Sequence, residues 1–181
     1  MIPKDRPRIE RKDTEKLLAS RRVSDPVCVV GIRGYYRDTM GAVGKNDVGL
    51  YDDALVVVSP NVHAAFNANV DPTRLGWNAK AKKPMAQLKP GVYRYKLGLH
   101  GISRGNPYKA LVQAGPVTVM RGDKEETGYY AINIHRGGST TSSEGCTTLP
   151  PGANWNGFIS LVEAELKRNN AKTLSYVLVS N

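Results

Sequence analysis

The sequence predicts a single domain with a mainly β fold and a few helices, of the α+β class. Its 181 residues fit one domain, because a split would leave two thin cores. Short runs rich in Val, Ile and Tyr recur between Gly, Pro, Asn and Asp, as is typical of strands. Only one later segment has a clear helical period. The predicted strands are residues 27–30, 54–58, 92–97, 117–120, 129–134 and 174–179, while residues 59–69 fit a strand or a loop equally well.

Two regions are candidates for helices. Residues 1–25 are highly charged around the apolar run Leu17-Leu18-Ala19, which predicts a surface helix or an arm laid on a body formed by residues 26–181. The later segment begins after Pro-Pro-Gly at residues 150–152 and should run for three to four turns. Its apolar residues lie on one face of a helix: Phe158, Leu161, Val162 and Leu166.

The composition is that of a folded protein with a positive surface. Apolar residues make up 40% and charged residues 23%, which excludes intrinsic disorder, and the net charge of +10 favours polyanionic partners. The basic residues are scattered rather than gathered into a stripe, so we expect no nucleic-acid binding. The N-terminus lacks the apolar stretch of a secretory signal, and no apolar run is long enough for a transmembrane segment. We therefore expect synthesis in the cytoplasm without a signal peptide, and a monomer.

The segment from residue 132 to residue 150 contains the strongest candidates for catalytic residues. A predicted strand ends in His135, a loop rich in Gly, Ser and Thr follows, and Cys146 comes directly after Gly145. A thiol needs a neighbouring base to attack well at neutral pH, and a loop of this length can bring the imidazole within hydrogen-bond reach of the sulfur. Because Gly145 has no Cβ, backbone N–H groups around Cys146 can point at a developing oxyanion. We therefore predict Cys146 as nucleophile and His135 as base.

Other interpretations of these residues stay open. His135 could be a structural histidine at a strand end and Cys146 an inert thiol, although its polar surroundings are unusual for a structural cysteine. Zinc is disfavoured, because the sequence lacks the paired Cys and His spacing of structural zinc sites, and we expect neither a metal nor a cofactor. Cys28 lies in an apolar run and is predicted to be a buried small hydrophobe.

The order strand, His, Gly-rich loop and Ser-x-Gly-Cys resembles the active-site signature of the L,D-transpeptidase catalytic domain. Here the motif is the Ser-Glu-Gly-Cys that ends at Cys146, and His135 stands where the family has its general base. Residues 89–93, Lys-Pro-Gly-Val-Tyr, partly match the stretch that opens a core strand in that family. The resemblance covers roughly residues 85–150. It implies a β-sandwich or barrel fold for residues 26–181 and an activity on peptidoglycan stem peptides.

The resemblance also implies roles for the neighbours of the two catalytic candidates. The main-chain carbonyl of Arg136 would orient His135, which leaves the Arg136 side chain either solvated or free to bind a carboxylate of the stem peptide. We expect Ser143, Glu144 and His100 to contact substrate as well. Those three lie beside the nucleophile or on a Gly-rich loop.

The chain departs from the family in ways that bear on the reaction. Many members have His or Arg before Gly-Cys and an Arg two residues after Cys, whereas this chain has Glu144 and Thr148. The pattern looks most like a branch found in phage-type lytic proteins. We therefore expect a peptidoglycan hydrolase that forms a thioester at Cys146, of the endolysin type, acting in the periplasm or cell wall after release or delivery. A cross-linking L,D-transpeptidase and a non-catalytic wall-binding module are the alternatives.

Overall fold

One curved sheet of eight strands organises the protein. The computed structural model describes residues 2–36, 48–138 and 140–181. Strand order across the sheet is β12, β11, β8, β7, β13, β1, β2, β3, and two of the pairings, β1 with β13 and β11 with β12, are parallel. The elements are α1 (Arg11–Ser20), β1 (Cys28–Arg33), β2 (Asp53–Val58), β3 (His63–Ala68), β4 (Trp77–Asn78), β5 (Lys83–Pro84), β6 (Gln87–Leu88), β7 (Gly91–His100), a 3₁₀ turn (Ile102–Arg104), β8 (Tyr108–Gln113), β9 (Val117–Arg121), β10 (Lys124–Gly128), β11 (Ile134–Arg136), β12 (Thr147–Leu149), α2 (Ala153–Arg168) and β13 (Leu174–Ser180).

The two ends of this sheet come close together. Asn69, just after β3, pairs with Thr148 of β12 through backbone hydrogen bonds in both directions, at 2.8 and 2.7 Å. The sheet therefore nearly closes into a barrel, which leaves few unpaired edges. Smaller two- and three-stranded sheets, formed by β4 with β5 and by β10, β9 and β6, complete the body.

Successive side chains along each strand point to opposite faces of the sheet. In β1 and just before it, Val27 and Val29 join the main core, whereas Cys28 and Val30 face the opposite side. The main core is covered by α2, whose Phe158 ring meets Phe66 edge-on at 5.5 Å. The opposite face is covered by the N-terminal segment.

The N-terminal segment packs on the outer face of the sheet rather than extending from it. Leu18 of α1 is buried in the second apolar cluster, beside Val56 and Val58 of β2. The Thr14 hydroxyl lies 3.1 Å from Nε2 of His63 in β3, which accounts for that histidine without a chemical role. Among the described residues, no helix is long and apolar enough to cross a membrane.

Most of the predicted elements agree with the structure. The single, mainly β domain of the α+β class is confirmed, as are α2 and a helix within residues 1–25. Residues 59–69 contain the strand β3. The narrower expectation of an L,D-transpeptidase-like architecture stays a prediction, and Ser139 of the predicted Gly-rich loop lies outside the described residues.

The predicted strand at residues 129–134 is wrong except for its last residue. Ala131 adopts a left-handed conformation with φ of 54°, which interrupts an extended chain. The N–H groups of Tyr130 and Ile132 donate to the side-chain oxygen of Gln113 at 3.1 and 2.8 Å instead of to a neighbouring strand. The β-branched and aromatic residues of this run thus form an irregular segment, and that segment lies beside Cys146.

Candidate active site

Two adjacent parallel strands bring His135 and Cys146 to the same side of the sheet. His135 is the middle residue of β11, and Cys146 immediately precedes β12, with Ile134 opposite Thr147 in the register. The N–H of Thr147 donates to the carbonyl of Asn133 at 3.0 Å, which places Cys146 level with Asn133. His135 lies on the neighbouring strand and two residues further along than the position opposite Cys146. The Cα atoms of the two residues are therefore about 8 Å apart, which two converging side chains can span. Both residues line one pocket.

Ser143 stabilises the loop that carries Cys146 through hydrogen bonds inside that loop. The buried Ser143 hydroxyl donates to the Cys146 carbonyl at 2.6 Å and accepts from the Gly145 N–H at 3.0 Å. Its backbone N–H donates to the Thr73 hydroxyl at 2.6 Å. Two sequence predictions are corrected by these contacts. Ser143 has no surface for substrate, and the Gly145 N–H is already used and does not point at an oxyanion.

Gly145 is required for a different reason from the one the sequence suggested. Its φ of 145° lies in a region that residues with a Cβ rarely adopt. A Cβ there would lie 2.6 Å from the Ala86 carbonyl oxygen and 2.9 Å from the Ala86 Cβ. Gly145 therefore lets the chain pass close to Ala86 immediately before Cys146. Among the described residues, no acceptor pairs with the Cys146 N–H itself, which remains the candidate oxyanion donor.

The Cys146 thiol lies at the floor of the pocket, with the residue 9% exposed. Its sulfur donates to the Ala131 carbonyl and accepts from the Asn133 N–H, at 3.4 and 3.3 Å. Burial raises the pKa of the thiol to about 11, with a smaller opposing effect from the Asn133 N–H. Within the described part of the chain, the sulfur has no hydrogen bond to His135, so the predicted direct contact is wrong for the resting arrangement.

The imidazole of His135 is held in one orientation. Its Nδ1 donates to the Arg136 carbonyl at 2.7 Å, the contact that the family resemblance implied. Because a carbonyl only accepts, the proton resides on Nδ1 and leaves Nε2 as a free base. The Tyr108 hydroxyl lies 3.2 Å from the same Nδ1. Burial and the neighbouring His100 lower the pKa of His135 to about 4, so the ring is neutral near pH 7.

His100 is part of the same site. Its ring stacks on that of His135, with ring centres 4.0 Å apart and planes inclined by 13°. The side-chain amide of Asn133 donates to His100 Nδ1 at 3.1 Å. Burial first, and the charge of Arg104 second, lower the pKa of His100. The stack thus consists of two neutral rings and forms a wall inside the cleft.

This wall divides the cleft into two lobes. The first lobe has a volume of about 240 Å³ and contains Cys146 and Glu144, and the second, of about 370 Å³, contains Arg136. Four residues line both lobes: His100, Arg104, His135 and Ser142. Glu144 is exposed in the first lobe, and its charge raises the pKa of Cys146. Its contact with substrate stays a prediction.

Several lining residues were not predicted from the sequence. Arg104 reaches both lobes from the 3₁₀ turn between β7 and β8, and Tyr108 faces His100 across that hairpin in register. Arg121 lines the first lobe but is engaged by Glu126 and by the Pro84 carbonyl. A usable signal was the Gly-rich turn of residues 101–107, flanked by a histidine and a tyrosine.

The comparisons with known proteins add no family to this site. No protein-family model, curated protein or solved structure matches the chain. Among the described residues, no group of three or more His, Cys, Asp or Glu side chains gathers to hold a metal ion.

Proposed function

We propose that the protein is a cysteine-dependent peptidoglycan peptidase with L,D-transpeptidase-like chemistry, which cleaves stem peptides or cross-links and acts as a phage-type endolysin. The observation that carries the proposal is the shared lobe of Cys146 and His135, in which the imidazole has a free Nε2 and a backbone-fixed orientation. The net charge of +10 suits an anionic wall as substrate. On this proposal the protein acts in the periplasm or cell wall after release from the cytoplasm.

The pKa values of the two groups define the first step. With the thiol at about 11 and the imidazole at about 4, a resting thiolate–imidazolium pair is unfavourable by on the order of 10 kcal/mol. The proton therefore moves from Sγ to Nε2 of His135 as the sulfur attacks a substrate carbonyl. Substrate entry has to bring the imidazole towards the sulfur or place a water between them, since catalytic hydrogen bonds commonly tighten only in the complex.

The remaining steps follow from the groups around the sulfur. The carbonyl oxygen gains negative charge as the S–C bond forms, and the Cys146 N–H can donate to it. His135 then returns the proton to the amide nitrogen, the C–N bond breaks, and an amine leaves a thioester on Cys146. A water, deprotonated by His135, hydrolyses the thioester and restores the thiol. An amine in place of water would give transpeptidation.

Turnover of purified muropeptides tests the proposal. Digestion in ¹⁸O-labelled water, followed by mass spectrometry, should yield a product with one ¹⁸O in its new carboxyl group. Cys146→Ala should abolish the reaction, whereas Cys28→Ala, which removes the other thiol from an apolar cluster, should retain it. A joined product without ¹⁸O would identify a transpeptidase. Activity that survives Cys146→Ala, or wall binding by an inactive wild type, would reject the peptidase.

A further inference from the structure

The second lobe of the cleft is a positively charged chamber. Two guanidinium groups line it, those of Arg104 and Arg136, and no carboxylate is among the described residues that line it. Arg104 is exposed, and within the described chain its side chain has neither an ion pair nor a hydrogen bond. The Arg136 guanidinium lies over the Tyr108 ring, 4.3 Å from its centre, which fixes its direction.

We propose that this lobe is a carboxylate-binding subsite, in which Arg104 and Arg136 hold a free carboxylate of the substrate while Cys146 attacks a carbonyl in the first lobe. The inference rests on the proposed peptidase function and adds a substrate class to it, a peptide with a free carboxylate close to the scissile bond. Arginine suits this task because its planar fork can donate two parallel hydrogen bonds to one carboxylate.

The arrangement of the lobes supports this use. Cys146 lines only the first lobe and Arg136 only the second, while Arg104 and the stacked rings of His100 and His135 line both. A peptide lying across the stack therefore reaches both lobes at once. Asn106 lines the same lobe and carries a neutral amide donor. Glu144 lines the first lobe alone, together with the cations Lys83, Arg104 and Arg121, whereas no described carboxylate lines the second lobe.

Arg104 also acts on the catalytic ring from a distance. Its charge is among the causes that lower the pKa of His135 and of His100. A bound carboxylate neutralises that charge and makes the imidazole a stronger base at the moment when it has to accept the thiol proton. Filling the second lobe thus favours reaction in the first.

The test compares two substrates that differ in one group, a stem peptide with its free carboxylate and the same peptide with that carboxylate amidated. Wild type should cleave the carboxylate form with a kcat/KM about 10- to 100-fold higher. Arg104→Gln and Arg136→Gln should each remove most of this preference, chiefly by raising KM for the carboxylate form. Arg104→Lys should retain part of it, and Lys96→Gln, which removes an exposed cation of β7 outside both lobes, should retain all of it.

Binding to the inactive Cys146→Ala variant gives a readout that does not depend on turnover. Titration calorimetry should show tighter binding of the carboxylate peptide than of the amide, and the difference should vanish in the Cys146→Ala, Arg104→Gln double variant. Equal effects of Arg104→Gln on both peptides, or no effect of either arginine substitution, would overturn the subsite. If wild type cleaves neither peptide yet the calorimetric difference persists, the peptidase fails and the subsite stands.

Discussion

The pH dependence of Cys146 alkylation follows directly from the surroundings of its thiol. The pKa of about 11 leaves about one thiol in ten thousand ionised at pH 7, since each pH unit below the pKa is a factor of ten. Iodoacetamide reacts with the thiolate. We therefore expect the rate of modification at Cys146 to rise about tenfold per pH unit between about pH 6 and pH 10.

The perturbation that makes this informative is His135→Asn. The imidazole is neutral above about pH 4 and has no hydrogen bond to the sulfur among the described contacts, so its removal should leave the alkylation profile unchanged. Peptide mapping by mass spectrometry separates Cys146 from Cys28, whose pKa burial raises to about 12. A Cys28→Ala background removes the second thiol altogether.

One result would refute this reasoning. A plateau of reactivity between about pH 5 and pH 8 that disappears in His135→Asn means that the resting enzyme holds a thiolate paired with an imidazolium. Proton transfer would then precede substrate binding instead of accompanying attack. A profile that rises steadily in both proteins supports the neutral pair.

The other predictions concern the loop and the base. Ser143→Ala should lower the free energy of unfolding by about 1–3 kcal/mol in urea denaturation, because the Cys146 carbonyl and the Gly145 N–H lose their buried partner. It should also reduce kcat more than it raises KM, and unchanged values would contradict the role of Ser143 in holding the loop. Gly145→Ala should lower Tm by about 5 °C or more in calorimetry, because the new Cβ meets Ala86 in a strained backbone, and a neutral effect would show that the loop relaxes freely. A general base must be unprotonated, so kcat/KM should fall tenfold per pH unit below about pH 4, where His135 becomes protonated. Above about pH 4 the protonation of His135 should no longer affect kcat/KM. A decrease in kcat/KM that begins near pH 6.5 would contradict the lowered pKa.

The parts of the fold that the sequence predicted are those set by local pattern. Runs rich in Val, Ile and Tyr predict β1, β2, β7, β9 and β13, and the apolar period of Phe158 and its neighbours predicts α2. The strand prediction for residues 129–133 is wrong because the N–H groups of Tyr130 and Ile132 donate to the side chain of Gln113, which lies 17 and 19 residues away and outside any local sequence window.

The site divides along the same line. His135 and Cys146 were predicted to be near each other because both flank one loop, and the parallel pairing of β11 with β12 brings them into one lobe. Ser143 was predicted to contact substrate because it lies beside the nucleophile in the sequence, but the fold turns its hydroxyl inward onto the Cys146 carbonyl. Arg104 was missed because its place in the cleft depends on how the hairpin of β7 and β8 packs.

Intact-mass and peptide-mapping analysis of the protein during turnover tests the central claim most directly. With a cleavable stem peptide, we expect an acyl adduct on the peptide that contains Cys146, released by hydroxylamine as a thioester is, and no adduct at Cys28. Product formation by Cys146→Ala, or an adduct confined to any other residue, would contradict the mechanism.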